Sequence, residues 1–118
     1  MALFVEKKRK GKIEMDEIIK RVLEFRDERN WKQFHTPEKL AISINLEAAE
    51  LLENFQWDNN YNLENVSEEL ADIILYCALM ADAVGIDLVK ETLKKIEKNR
   101  DKYPVNKAIN SSKKYTEL

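Results

Sequence analysis

The chain has 118 residues, a length typical of a single domain. It contains only two glycines and two prolines, too few for the turns of a β-sandwich or β-barrel, so the composition predicts an all-α fold. Its 20 lysines and arginines stand against 22 aspartates and glutamates, a net charge of −2. This balance excludes a general nucleic-acid-binding surface, and we expect no stable nucleic-acid partner.

The cysteine content and the apolar runs bear on the compartment. The single cysteine, Cys77, cannot form an intrachain disulfide, and its apolar surroundings predict a buried thiol in a reducing cytoplasm. Uncharged runs are all shorter than the roughly 18 residues that span a bilayer. The apolar residues 1–5 precede basic residues, which is the reverse of a signal peptide. We therefore expect a soluble, cytoplasmic protein with no membrane partner.

Three segments are predicted along the chain. Residues 1–12 form a basic N-terminal extension, which is more typical of a solvated tail than of a contact with nucleic acid or an acidic partner. Residues 13–104 form the helical domain, and the polar residues 105–118 form a C-terminal tail.

The first two of four predicted helices flank a short connection. The first runs from about Met15 to Asn30, because its apolar residues recur with a helical period. These residues are Ile18, Ile19, Val22, Leu23 and Phe25. The second runs from Pro37 to about Phe55, with Thr36 as its N-cap and the proline at the first helical position, where a missing N–H costs nothing.

The third and fourth predicted helices are delimited by capping signals. The third covers about Leu63 to Val84 and ends at Gly85, a residue suited to a left-handed C-terminal cap. Asp87 is the predicted cap of the fourth helix, which continues to about Lys102 and ends before Pro104.

Two pairs of acids border the apolar faces of the second and third helices. Glu47 and Glu50 lie three residues apart and so share a helical face, as do Glu69 and Asp72, with Tyr76 one turn further on. Carboxylates beside a core are costly unless they are paired, protonated or bound to a cation. We interpret the four acids as a shared site for Mg²⁺, with Mn²⁺ as a substitute, since hard cations prefer oxygen ligands. The alternative is four ordinary surface acids.

A di-iron helical bundle fits the sequence less well. Such a bundle uses two Glu-x-x-His motifs, and His35 is the only histidine of the chain.

The acids stand within longer segments that resemble the MazG-like all-α nucleoside triphosphate pyrophosphohydrolases. Residues 47–50 and 69–72 are similar to the acidic signature of that family. Four further segments look like the dCTP pyrophosphatase branch, so that the resemblance covers about residues 15–118. They are residues 25–35, 55–57, 99–105 and 111–118.

The resemblance implies a fold, an assembly and a reaction. It implies a four-helix MazG-like fold whose helices pack across a homotetramer built as a dimer of dimers. The implied reaction is the Mg²⁺-dependent hydrolysis of a nucleoside triphosphate, dCTP or a modified dCTP, to the monophosphate and pyrophosphate, for nucleotide-pool housekeeping. All four acids would hold the metal, and Glu47 or Glu50 would also orient or deprotonate the attacking water.

The resemblance also implies a set of residues that bind the substrate. Trp31, His35 and Trp57 would line the pocket for the base or sugar, and the Tyr76 hydroxyl would reach the sugar or a phosphate. The tail would close over the substrate, and its polar residues, together with one arginine that precedes it, would contact the triphosphate. These are Arg100, Asn106, Lys107 and Lys114. Without the resemblance, core packing would explain the aromatic residues and solvation the basic ones.

Two departures and two alternatives remain open at this point. Lys32 stands where the branch often has an acid, and Asp58 where it often has a base, which weakens the assignment of the base. The same chemistry on another non-canonical nucleotide is therefore one alternative. The other is a catalytically silent helical module for dimerisation or partner binding.

Overall fold

The structure is a computed structural model that describes residues 12–118, and every regular element within that range is helical. The all-α prediction is confirmed. The predicted basic extension, except for Lys12, lies outside the described residues. The elements are α1 (Met15–Glu28), α2 (Pro37–Glu53), α3 (Leu63–Val84), α4 (Leu88–Lys102) and α5 (Val105–Ala108), with 3₁₀ turns at Lys32–Phe34 and Tyr115–Glu117.

The helix boundaries are set by the predicted caps. The Thr36 hydroxyl accepts a hydrogen bond from the backbone N–H of Lys39, at 3.3 Å. The Asp87 carboxylate accepts one from the N–H of Lys90, at 3.0 Å. Gly85 adopts a φ of 75°, which is strained for residues with a Cβ, and it ends α3 as predicted.

The end of α1 differs from the prediction, since the helix stops at Glu28 and not near Asn30. Asn30 has a φ of 53°, and asparagine tolerates this left-handed conformation better than most residues. The N–H of Trp31 then donates to the carbonyl of Arg26, at 3.1 Å. This closing turn satisfies a helix carbonyl and directs the chain into the 3₁₀ turn. Helix α2 ends similarly early, at Glu53.

Residues 12–86 form the first of two compact units. Helix α3 packs along α2 and also against α1. The largest fully buried side chain in this part of the chain is that of Leu40, with 1% exposure. The core around it consists of Val22, Ala78 and Leu79, bordered by Ile18, Ile19, Leu23, Tyr76, Met80 and Ala83. Phe25, predicted as part of the apolar stripe of α1, is instead 51% exposed.

Residues 87–118 form the second unit. The rings of Tyr103 and Tyr115 meet edge to face with centroids 6.0 Å apart. The ammonium of Lys102 lies 4.9 Å from the centre of the Tyr115 ring. These contacts attach the C-terminal 3₁₀ turn to the end of α4.

Within residues 12–118, none of the helices combines the length and the apolar character needed to cross a membrane.

Candidate active site

Three glutamates come together between α2 and α3. Glu47 and Glu50 of α2 and Glu69 of α3 each place one carboxylate oxygen within 4.8 Å of the others. Glu47 and Glu69 are half-buried, and Glu50 is exposed. The charge of Asp72 also acts on Glu47. The earlier acid of α2 is thus near the later acid of α3, as expected for two antiparallel helices.

Two carboxyl groups of this cluster, Glu47 and Glu69, have raised pKa values. Hydrogen bonding with Glu50, and then burial, raise the pKa of Glu69 to about 7. Burial, and then the charge of Glu50, raise the pKa of Glu47. The Oε2 atoms of Glu47 and Glu69 are buried and have no hydrogen-bond partner among residues 12–118. Such a group of acids requires either shared protons or a cation.

The donor atoms of the cluster fit a hard divalent cation. All are carboxylate oxygens from two packed helices, the ligand type that Mg²⁺ and Mn²⁺ prefer. The orphaned Oε2 atoms of Glu47 and Glu69 are free to coordinate an ion. The fourth predicted ligand, Asp72, lies outside the tight group of three, but its charge contributes to the raised pKa of Glu47.

A cavity of about 440 Å³ lies beside the cluster, between α1, α3 and the residues that flank the 3₁₀ turn Lys32–Phe34. Asp72 lines it and therefore connects it with the acids. Three residues predicted to bind substrate, Trp31, His35 and Tyr76, also line it. Most of the remaining lining is aliphatic or aromatic: Ile13, Ile18, Val22, Phe25, Leu75 and Leu79, together with Arg21 and Arg26. A mostly apolar cavity with a few polar groups is typical of a small-molecule site.

Stacked side chains support the Trp31 wall of the cavity. The rings of Phe25 and Trp31 meet edge to face with centroids 5.8 Å apart. The guanidinium of Arg29 lies 3.8 Å from the centre of the Phe25 ring and donates to the Phe25 carbonyl at 2.9 Å. These contacts, with the closing turn after α1, explain why Phe25 is not in the core, and they hold Trp31 at the rim with 43% exposure.

His35 contributes a neutral polar group. Burial, and then the positive charge of Arg26, lower the pKa of this imidazole, which favours its uncharged form at neutral pH. Its Nδ1 atom is buried and has no partner among the described residues 12–118.

Arg26 is a residue of the cavity that the sequence analysis missed. It is 5% exposed, and its Nη1 donates to Asp82 of α3 at 2.6 Å while its Nε donates to Asp27 at 2.8 Å. Both carboxylates raise its pKa, and Arg26 in turn lowers that of Asp27. The position of Arg26, one turn after Val22 in the apolar stripe of α1, was a signal that this arginine is buried.

The structure does not bring every predicted site residue to the cavity. Trp57 is 87% exposed, in the loop after α2, and it is not among the residues that line the cavity. The four remaining predicted residues are exposed on the second unit: Arg100, Asn106, Lys107 and Lys114.

Comparisons with known proteins place the chain in one family. The model of the MazG-like family matches residues 42–118. Human dCTP pyrophosphatase 1 is 35% identical over 114 residues, which span 88% of this chain and 67% of the human protein. The bovine dCTP pyrophosphatase 1 is 34% identical over the same share of this chain and 68% of its own length.

A solved structure shares the fold. A crystal structure of a pyrophosphatase from Archaeoglobus fulgidus superimposes with a TM-score of 0.67 at 39% sequence identity. The match covers 79% of this chain and 99% of the archaeal chain.

Proposed function

Because this chain belongs to the MazG-like family and is a nucleoside triphosphate pyrophosphohydrolase, we propose that its substrate is dCTP or a modified dCTP and that its cofactor is Mg²⁺. The products are then the monophosphate and pyrophosphate, and the reaction removes unwanted nucleotides from the pool. The observation that carries this proposal is the convergence of three glutamates near a mostly apolar cavity, which is lined by Asp72, an acid whose charge acts on Glu47.

The metal is assigned to Glu47, Glu50, Glu69 and Asp72. The two orphaned oxygens and the raised pKa values of Glu47 and Glu69 support this assignment, since a cation removes the repulsion that these carboxylates otherwise feel. When bound, Mg²⁺ supplies positive charge to the phosphate oxygens and polarises the phosphorus atom that is attacked.

The hydrolytic step joins water to the α-phosphorus and breaks the bond from that phosphorus to the bridging oxygen. The water loses a proton as it attacks, and we assign the acceptance of that proton to one carboxylate, that of Glu47 or Glu50. Glu50 is the exposed member of the cluster, in contact with the solvent from which water comes. Pyrophosphate leaves with the bridging oxygen, and the monophosphate keeps the oxygen of the water.

The base is assigned to the cavity. Trp31 offers a ring face for stacking, and the neutral His35 and the Tyr76 hydroxyl offer polar contacts to the base or sugar. The names of the curated relatives support cytosine as the base, and a cavity of about 440 Å³ leaves room for a substituent on it.

In this proposal, the remaining predicted residues contact the substrate in the assembled enzyme. Arg100, Asn106, Lys107 and Lys114 contact the phosphates, and Trp57 stacks on the base. The assembly is a homotetramer. Exposed apolar side chains along α2 and α3 support self-association, and they are Ile42, Leu46, Leu70 and Ile74.

The experiment that tests the proposal is an incubation with each common deoxynucleoside and nucleoside triphosphate plus Mg²⁺, followed by anion exchange. We expect dCMP and pyrophosphate from dCTP at the highest rate, and no turnover after chelation of the metal. Release of dCDP and inorganic phosphate would contradict the chemistry.

Two other outcomes separate the alternatives. Faster turnover of a different nucleotide would retain the chemistry and overturn dCTP as the substrate. If neither Mg²⁺ nor Mn²⁺ supported hydrolysis of any common or modified nucleotide, the result would favour a silent helical module. Light scattering checks the assembly, and free subunits at micromolar concentration would contradict the homotetramer.

A further inference from the structure

Arg26 is a buried cation at one wall of the cavity, and its contacts leave part of its guanidinium unused. Nε and Nη1 donate to Asp27 and Asp82, whereas Nη2 has no hydrogen-bond partner among the residues that the structure describes, 12–118. The side chain is only 6% exposed. Since Arg26 lines an otherwise mostly apolar cavity, the unused donors are available to a ligand there.

The contact of Arg26 with Asp82 of α3 assigns the guanidinium to one end of the cavity. Its partner Asp82 follows Asp72 by ten residues, which is roughly 15 Å of helix. Asp72 marks the end nearest the glutamates, where the phosphates of the proposed substrate lie. Arg26 therefore lies towards the opposite end, where the proposed function puts the base.

Local charge also argues against phosphate as the ligand of Arg26. Asp27 and Asp82 both contact the guanidinium, so one positive charge is set against two negative charges. The surroundings thus do not attract an anion, whereas a neutral carbonyl oxygen can accept a hydrogen bond from the guanidinium without this penalty.

We propose that Arg26 is a specificity-determining residue, whose free guanidinium N–H groups donate to a ring carbonyl oxygen of the bound base, while Asp82 and Asp27 fix the orientation of the guanidinium. This inference rests on the proposed function for the placement of the nucleotide. It selects bases that carry a ring carbonyl, such as cytosine, over bases that have none, such as adenine.

The variant Arg26→Met tests this role without burying an unpaired charge. The two carboxylates that it frees are 57% and 32% exposed in the native protein, so water can solvate them, and the methionine keeps the apolar stem of the arginine. The matched control is Lys20→Met, which removes one positive charge from an exposed position of the same helix.

The experiment measures binding by titration calorimetry with two ligands that cannot be cleaved. One is a dCTP analogue with an imido bridge between the α- and β-phosphates. The other carries the same phosphates on the C-nucleoside of 2-aminopyridine, which keeps the amino group and neighbouring ring nitrogen of cytosine but has no carbonyl oxygen. A mildly alkaline pH keeps both rings uncharged.

We expect the wild type and Lys20→Met to bind the cytosine ligand about 10- to 100-fold more tightly than the aminopyridine ligand. Arg26→Met should lose this preference by weakening only the cytosine ligand. Arg26→Lys, which retains the cation should the methionine variant not fold, should also show a reduced preference, because an ammonium held by Asp82 does not present the planar guanidinium donors.

Three results would overturn the inference. The first is an unchanged preference in both Arg26 variants. The second is an equal loss of affinity for both ligands, which indicates a purely structural role. The third is the absence of a preference in the wild type. The dCTP turnover of the same samples keeps the two proposals apart. Turnover without a preference retains the proposed function, and an Arg26-dependent preference without turnover retains the carbonyl contact.

Discussion

Helix α3 contributes an acid to each of two polar regions. In one region the neighbours of the acid are other carboxylates, and in the other its neighbour is an arginine. In the N-terminal half of α3, Glu69 meets Glu47 and Glu50. Hydrogen bonding with Glu50 and burial raise the pKa of Glu69, and burial and the charge of Glu50 raise the pKa of Glu47. Near its end, Asp82 meets Arg26, and opposite charges lower or offset the cost of burial. The first region lacks a counter-charge among residues 12–118, whereas in the second Asp27 and Asp82 balance the charge of Arg26 and leave some of its guanidinium N–H groups unused.

This difference indicates different tasks. A cluster of acids that repel one another gains most from a cation, which supports the proposal that this cluster binds a metal for the reaction. A paired arginine in an apolar cavity gains little from an ion, so this region is suited to holding the uncharged part of the ligand. We therefore propose that the glutamates carry out turnover and that the cavity recognises the base.

The largest expected effect comes from the glutamates. Glu50→Gln should reduce kcat about 10²- to 10⁴-fold, because the amide can neither accept the proton of the attacking water nor offset the charge of the metal. Steady-state hydrolysis of dCTP is the measurement. Glu53→Gln, an exposed position on the same helix, is the matched control and should retain wild-type activity. Equal rates for Glu50→Gln and the wild type would break the assignment of turnover to this region.

The next effect concerns the cavity. Trp31→Ala removes the ring face on which the base stacks, a contact worth about 1–3 kcal/mol. We expect kcat/KM to fall roughly 10- to 100-fold, mainly through KM, while Trp31→Phe retains most of the affinity. A fall in kcat at constant KM would show that the cavity and the cluster do not divide the work as described.

The pH dependence of metal binding tests the glutamate cluster separately from the cavity. Because the pKa of Glu69 is raised to about 7, protons compete with the cation, and Mg²⁺ affinity should fall up to about tenfold per pH unit below that value. Glu69→Gln should bind Mg²⁺ weakly and with a flatter pH profile. Calorimetric titration with Mg²⁺ measures both, and a wild-type affinity independent of pH would contradict the raised pKa.

The metal-free protein should show the matching change in stability. A carboxyl whose pKa is higher in the folded state stabilises the fold below its ordinary value of 4.5 and loses that contribution as the pH rises through about 7. Added Mg²⁺ should therefore raise Tm more at about pH 8 than at about pH 5. If the increase in Tm caused by Mg²⁺ did not depend on pH, the result would indicate that the metal does not bind at these acids.

The smallest expected effect lies outside both regions. Thr36→Ala removes the hydroxyl that caps α2 and should lower the free energy of unfolding by about 1 kcal/mol. Denaturant unfolding measures this loss, and kcat/KM for dCTP should be unchanged at a temperature where the variant is folded. A large loss of activity in this variant would show that the position of the glutamates depends on the cap.

Local signals explain how much of the fold could be predicted from the sequence. Thr36, Gly85 and Asp87 each act within a few residues of the backbone that they cap, so the four long helices were recoverable within one or two residues at each end. The early end of α1 was missed because the left-handed Asn30 and its closing turn depend on the conformation of the residues that follow.

The site was partly predictable for the same reason. The spacing of Glu47 and Glu50 put them on one helical face, and the structure joins Glu69 to them. The pairing of Arg26 with Asp82 spans 56 residues, and no periodicity within one helix indicates which acid a buried arginine meets. Trp57 illustrates the limit of a resemblance, since its place beside the base stays a prediction while it is 87% exposed in this chain.

The most direct test of the central claim is hydrolysis of dCTP with Mg²⁺ in water enriched in heavy oxygen, followed by mass spectrometry of both products. The account predicts one heavy oxygen in dCMP and none in pyrophosphate, because water attacks the α-phosphorus. Glu50→Gln should slow the appearance of this label, whereas Glu53→Gln should not. Label in the pyrophosphate, or labelled inorganic phosphate in its place, would contradict the account.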